Sequence, residues 1–138
     1  MLSIPRDFYV KKPNGNYGKI NSIFEWALYS NDKDYEKAAP SLLNKLTDIT
    51  GIPLTYYAFI DFKGFEKFVD MLGWVEINVP EPLYDSSYPG ANDSYIIFSV
   101  NSGTQVMNGE TALRYARSRH STSDYARSLR QQAIIQAL

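Results

Sequence analysis

Between Phe62 and Val79 the apolar period changes from that of a helix to that of a strand across a single glycine. Phe62, Phe65, Phe68, Val69 and Leu72 recur at helical spacing, Gly73 follows, and Val75, Ile77 and Val79 then alternate with Glu76 and Asn78. Asp61 is placed to cap the helix, and Pro80 ends the strand. Each element carries one apolar face, and each buries it by lying against another element. This juxtaposition argues for a layered α/β architecture.

The rest of the chain reads on the same terms. Leu2-Ser3-Ile4 is a strand end stopped by Pro5, and Lys11 to Gly18 is a polar loop. A helix is predicted from Lys19 to Tyr29 and a turn from Asn31 to Asp34. A second helix runs from Tyr35 to Ile49 with Leu42, Leu43, Leu46 and Ile49 on one face; Pro40 is a candidate break and Gly51 a stop. Leu54 to Ile60, rich in aromatic and branched residues, reads as a buried strand. Glu81 to Ser94 reads as a loop, and Tyr95 to Val100 as a strand. Asn108 can cap a helix through Ala112, Leu113 and Ala116. Ser121-Thr122-Ser123 interrupts that pattern. A last helix starts near Asp124 and carries Leu129, Ala133 and Ile134.

Composition narrows the chemistry. A chain of 138 residues is of single-domain size, and 44% hydrophobic residues exclude wholesale disorder. There is no cysteine and one histidine, His120, so thiolate nucleophiles, Cys-based zinc sites and multi-His metal sites are excluded. The longest unbroken apolar run is Tyr56-Tyr57-Ala58-Phe59-Ile60. That is far short of the roughly 20 residues of a membrane span. No signal-peptide pattern is present. The chain opens on a strand pattern and stops inside a helical one at Leu138, so it is expected to be a piece of a longer protein.

Positive charge is sorted by region. Five of the six arginines lie between Arg114 and Arg130, against one acid, Asp124, for a net +4. Residues 1–113 carry Arg6 and eight lysines against fourteen acids, for a net −5. Clustered arginine, as opposed to lysine, suggests planar, bidentate recognition of oxyanions. Arg117 and Arg119 would diverge on a continuous helix but can converge at a frayed end. Arg127 and Arg130 share a face, and the helix beginning at Ser123 or Asp124 offers free N–H groups to an anion. These residues read either as a phosphate or pyrophosphate cradle or as a solvated basic face. Arg6-Asp7, just beyond a strand, is either a ligand pair or an exposed ion pair in a turn. Lys19 and Asn21 can add a charge and a hydrogen bond. His120 is either a base or an exposed loop residue. The aromatic faces around Tyr56, Phe62, Phe65 and Phe68 are either core or the lining of a lipid groove.

Ser3-Ile4-Pro5-Arg6-Asp7, Lys19-Ile20-Asn21, the stretch from Gly64 to Pro80, Asn108-Gly109-Glu110 with Ala112-Leu113, and Arg117-Ser118-Arg119 through Gln132 together resemble the LytR-CpsA-Psr family. Three positions depart from the usual pattern: Phe8 replaces a small hydroxyl residue, Trp74 the second of two glycines, and Asn108 an aspartate. The resemblance implies a layered α-β-α phosphotransferase domain with a central mixed sheet, truncated at both ends and incomplete in this chain. It implies transfer of a glycan polymer (teichoic acid, capsule or related) from a polyprenyl-pyrophosphate carrier to peptidoglycan. Location would be the extracytoplasmic membrane face, through an N-terminal membrane helix this chain lacks, with Mg²⁺ or another divalent cation assisting. By resemblance, Arg6, Arg117 and Arg119 clamp the pyrophosphate, Arg127 and Lys19 support them, and Asp124 positions the arginines. Asn21, Arg130 and Gln131 bind substrate. The metal ligands are expected upstream of Met1, so the 138 residues alone are expected to be inactive. Two rivals remain: a non-catalytic binder of lipid-linked pyrophosphate, and a nucleic-acid-binding regulator. The −5 charge of residues 1–113 and the lack of a helix-turn-helix pattern argue against the second, and no nucleic-acid partner is expected.

Overall fold

The computed structural model describes residues 2–119 and 123–138, which form two compact units, Leu2–Phe59 and Ile60–Leu138. The class is α/β, as expected. The strands pair as three antiparallel two-stranded ladders among the described residues, where one central mixed sheet was expected.

The first unit opens with a hairpin, β1 (Tyr9–Lys11) and β2 (Tyr17–Lys19), paired Tyr9 to Lys19 and Lys11 to Tyr17. The predicted polar loop thus covers only the turn, and its ends are strands. Leu2–Ile4, predicted as a strand end, is not a strand. Helices α1 (Asn21–Ser30) and α2 (Tyr35–Thr50) follow. Asp34 caps α2 by accepting from the N–H groups of Glu36 and Lys37, and these bonds to the carboxylate lower its pKa. Gly51 ends α2 at φ +70°, a conformation glycine adopts without strain. Pro40 lies in the second turn of α2 and does not split it. Val10, Ile20 and Ile23 form the core, with Ile4, Leu42 and Leu46 packed on it.

The predicted strand 54–60 is the largest departure. This segment is exposed and unpaired to any described strand. A strand exists only where another lies alongside to share its hydrogen bonds. Here the segment is held at isolated points instead. The Leu54 N–H donates to Thr47 Oγ1, and the Phe59 ring packs against Phe24 and Tyr35, 6.0 and 4.7 Å between centroids.

The second unit begins with α3 (Phe62–Met71), capped by Asp61 through Gly64 N–H, and passes to β3 (Val75–Val79). Val75, Ile77 and Val79 all face inward, as their alternation predicts. After these come β4 (Leu83–Pro89), β5 (Tyr95–Val100), β6 (Gly103–Met107), α4 (Gly109–Arg117) and α5 (Asp124–Ala137). β3 pairs with β6 and β4 with β5. The core joins all of them through Val69, Ile77, Tyr88, Phe98, Met107, Tyr115 and Ile134 among others. Half of the predicted loop 81–94 is therefore strand. Its inward positions are Leu83, Asp85 and Tyr88, with a register irregularity between the last two. A buried acid and a broken period made it read as loop.

Two backbone positions carry testable cost. Gly73 and Trp74 turn α3 into β3 with φ of +86° and +75°, and the Trp74 N–H donates to Val69 O. This is a Schellman-type ending whose second residue also sits where L side chains are disfavoured. It gives a physical reason for the glycine that the resemblance leads one to expect at that position. Trp74→Gly is expected to match or exceed the parent stability, and Trp74→Val to fall about 1 kcal/mol or more below Trp74→Gly, measured by urea melts. Gly109 is tighter. A Cβ there would lie 2.1 Å from the backbone oxygen of Glu66, so α3 and α4 would have to separate. Gly109→Ala is expected to cost about 2 kcal/mol or more by the same measurement.

Candidate functional site

The first unit carries an apolar groove of about 500 Å³. Leu2, Ile4, Ile20, Leu42, Leu46, Ile52 and Leu54 line it, and its polar contributors are Arg6, Asn21 and Thr50. The loop before β1 and the start of α1 set Arg6 and Asn21 side by side: the Asn21 N–H donates to Arg6 O, and the Ile20 N–H to Phe8 O. Asp7 pairs with both neighbouring cations, Lys19 Nζ at 3.1 Å and Arg6 Nε at 3.6 Å. All three are exposed, so the pairing orients charge more than it stabilises the fold. Asn21 Nδ2 donates to Glu25, while its Oδ1 is buried with no donor among the described residues, an acceptor left to be satisfied. Tyr56, a candidate for lipid lining by sequence, is exposed and is not part of this groove's lining.

The second unit carries the arginine segment. Helix α4 stops at Arg117 and Ser118 turns to an extended conformation, φ −54° and ψ 136°. On a continuing helix Arg117 and Arg119 would stand about 200° apart. The extended residue between them breaks the helical phase that would hold them apart. The Arg117 guanidinium lies 4.1 Å above the Phe62 ring and donates to Tyr88 Oη at 3.4 Å. Burial raises the Tyr88 pKa, so the phenol stays neutral and can accept from the cation. Arg119 is exposed, and its backbone N–H donates to Asp85 Oδ2.

Helix α5 supports this segment from beneath. Arg130 is 7% exposed; its Nε donates to Tyr115 O at 2.9 Å and its Nη2 to Ser118 O at 2.6 Å. Gln131 Nε2 donates to Ala116 O at 3.3 Å. A helix end leaves its last carbonyls unpaired, and here a cation and an amide from another helix take them. The cation also meets the negative end of the α4 dipole. Burial lowers the Arg130 pKa, though a guanidinium remains charged at neutral pH. Arg127 sits half-buried on the same helix. The Ala126 N–H at the start of α5 is taken by Ser123 Oγ. Asp124 is the first residue of α5; its side chain, and His120, lie outside the described residues.

The structure thus brings Arg6, Lys19 and Asn21 together in one unit, and Arg117, Arg119, Arg130 and Gln131 together in the other. Arg130 and Gln131, expected as substrate contacts, spend the bonds described on the carbonyls of α4. Asp85 and Tyr88 were not singled out by sequence; Ser118 was read only as the residue between two arginines, and Phe62 as core or lipid lining. Of the two that were missed, only Asp85, an acid in a segment read as loop, offered any signal. Among the described residues no three His, Asp or Glu side chains are grouped as a metal ion needs, so no step is assigned to Mg²⁺ here. No described helix is long and apolar enough to cross a membrane.

Two arginines at the end of a helix, on an α/β scaffold, are side chains of the type that can bind an oxyanion. The chain belongs to the LytR_cpsA_psr family, whose match covers residues 1–138. It is 36% identical to the regulatory protein MsrR of Staphylococcus aureus and 34% identical to the probable cell wall biosynthesis protein LcpB of Corynebacterium glutamicum. Each alignment covers all of this chain, but 37% and 29% of those proteins, so the chain spans about a third of their length. The structure of TagT bound to LIIa-WTA is 25% identical with a TM-score of 0.72, over 97% of this chain and 48% of that one.

Arg130→Met is expected to destabilise the chain by about 2–4 kcal/mol, because it leaves two buried carbonyls without donors. Arg130→Lys should recover only part of the loss, since one ammonium cannot reproduce the two-point contact. Urea melts of the three proteins at neutral pH check this order.

Proposed function

We propose that this chain is part of a phosphotransferase that moves a glycan polymer from a polyprenyl-pyrophosphate carrier to peptidoglycan. An acceptor hydroxyl of the wall attacks the phosphorus bonded to the glycan. The bridging P–O bond of the pyrophosphate breaks, polyprenyl phosphate leaves, and the hydroxyl proton is released. Membership of the family and the arginine segment at the end of α4 carry the reading. TagT, a structural relative, is bound to LIIa-WTA, a wall teichoic acid species, in its own structure. LcpB is named for cell wall biosynthesis.

Each unit supplies chemistry suited to this substrate class. In the first, an apolar groove with Arg6 at its lining suits a prenyl chain that ends in phosphate. In the second, Arg117 and Arg119 present donors to phosphoryl oxygens. Arg117 is held in advance by Phe62 and Tyr88, so less of its freedom is lost on binding. Phosphoryl transfer depends on such positioning and charge neutralisation more than on covalent chemistry by the protein. The proposed setting is the extracytoplasmic face of the membrane, with the whole protein anchored there. Mg²⁺ is a proposed requirement of the complete reaction.

A second reading, binding without turnover, is favoured for these 138 residues taken alone by the lack of a grouped metal-ligand set among those described. Both readings require the chain to bind a lipid pyrophosphate. The chain is expected to bind farnesyl pyrophosphate more tightly than farnesol by calorimetry. Arg117→Ala should weaken the pyrophosphate on the order of 10–100-fold, the value of one charge-assisted bond. Equal affinity for the two lipids would sink both readings. In a protein of the relatives' length carrying this chain, Arg119→Ala should lower glycan transfer about 10²–10³-fold with an unchanged thermal melt. Arg119→Lys should fail as well. EDTA should abolish transfer, and EDTA-resistant turnover would remove the divalent cation from the scheme.

A further inference from the structure

The inward position held by Asp85 on β4 faces a core of Val, Ile, Phe and Tyr side chains, yet it carries a carboxylate that is 0% exposed. Burying a charge there is costly, and an apolar residue of similar size would serve stability as well or better. What the carboxylate does is specific. Its Oδ2 accepts from Ser118 Oγ at 2.6 Å and from the Arg119 N–H at 3.3 Å, and its Oδ1 accepts from the Ser87 N–H at 3.0 Å. Ser118, 1% exposed, is held on every polar group: its hydroxyl by Asp85, its carbonyl by Arg130, and its N–H by Arg114 O. It is the residue between Arg117 and Arg119.

We propose that Asp85, acting through Ser118 and the Arg119 amide, is the positioning residue of the arginine pair, fixing the chain break that lets both guanidinium groups serve one anion. The same strand reaches the other arginine, since Tyr88 Oη accepts from Arg117. β4 therefore sets Arg119 through its backbone and Arg117 through its side chain. Neither Asp85 nor Ser118 needs to touch the anion. Their effect is to remove backbone freedom at Ser118 before the ligand arrives, so that binding does not have to supply that order.

The inference rests on the anion-binding reading of Arg117 and Arg119, and its test separates the two. Ser118→Ala, a small change at a buried site, is made alone and together with Arg119→Ala, and farnesyl pyrophosphate binding is measured by calorimetry. Ser118→Ala is expected to weaken binding about tenfold where Arg119 is present and less than about twofold where it is alanine, since a positioning residue acts through its client. Amide exchange at Arg119 should quicken in Ser118→Ala and in Asp85→Asn, while the core strands β3 and β6 keep their protection. A loss of the same size in both backgrounds would make Asp85 and Ser118 merely structural and overturn the inference. So would unchanged affinity in Ser118→Ala beside a faster Arg119 amide. A parent chain that does not distinguish farnesyl pyrophosphate from farnesol would overturn the anion-binding reading itself, and this inference with it.

Discussion

A buried guanidinium and a buried carboxylate meet around one serine, and the arrangement of the second unit depends on them. Arg130 holds two carbonyls at the end of α4, and Asp85 holds the hydroxyl and the amide that follow. Helix α5 commits few apolar side chains to the core, Ile134 chief among them. Its attachment to α4 is therefore largely made of hydrogen bonds. Apolar packing tolerates sliding, but donors aimed at particular carbonyls permit one register.

This polar centre is also where sequence reading ran out. From Phe62 to Val79 propensity, period and turn chemistry agree, and helix, glycine turn and strand stand as read. Asn108 caps α4 through the Thr111 N–H as the missing aspartate would. Strand β4 was hidden because its inward positions include an acid and its alternation slips between Asp85 and Tyr88. Segment 54–60 failed in the opposite sense. Its composition is that of a strand, but strand formation is a property of a pair, and the pairing partner is not written in the segment.

For the candidate site, composition exposed the charges and concealed the supports. Sorting of arginine toward Arg114–Arg130 was visible at once, as was the chance that a helix end lets Arg117 and Arg119 converge. The distinction between an arginine that faces outward, such as Arg119, and one buried under backbone, such as Arg130, was not visible. Both lie in the same basic run, and only tertiary packing assigns them different work. The groove was equally hidden, because its lining comes from three separated stretches, 2–6, 20–21 and 42–54, and no local pattern shows that they meet.

The slip in register between Asp85 and Tyr88 has a consequence for how such a chain can vary. Two residues, Ser86 and Ser87, separate an acid and a phenol that both point inward. With regular alternation, residues three apart would face opposite sides of the sheet. The irregularity restores them to one side and lets a single strand hold both flanks of Ser118. An insertion or deletion of one residue at 86–87 would return one of the two side chains to solvent, whatever its identity. Chain length at this point is therefore under tighter constraint than residue type, and homologous chains should vary in the loop 90–94 before they vary in the spacing from Asp85 to Tyr88.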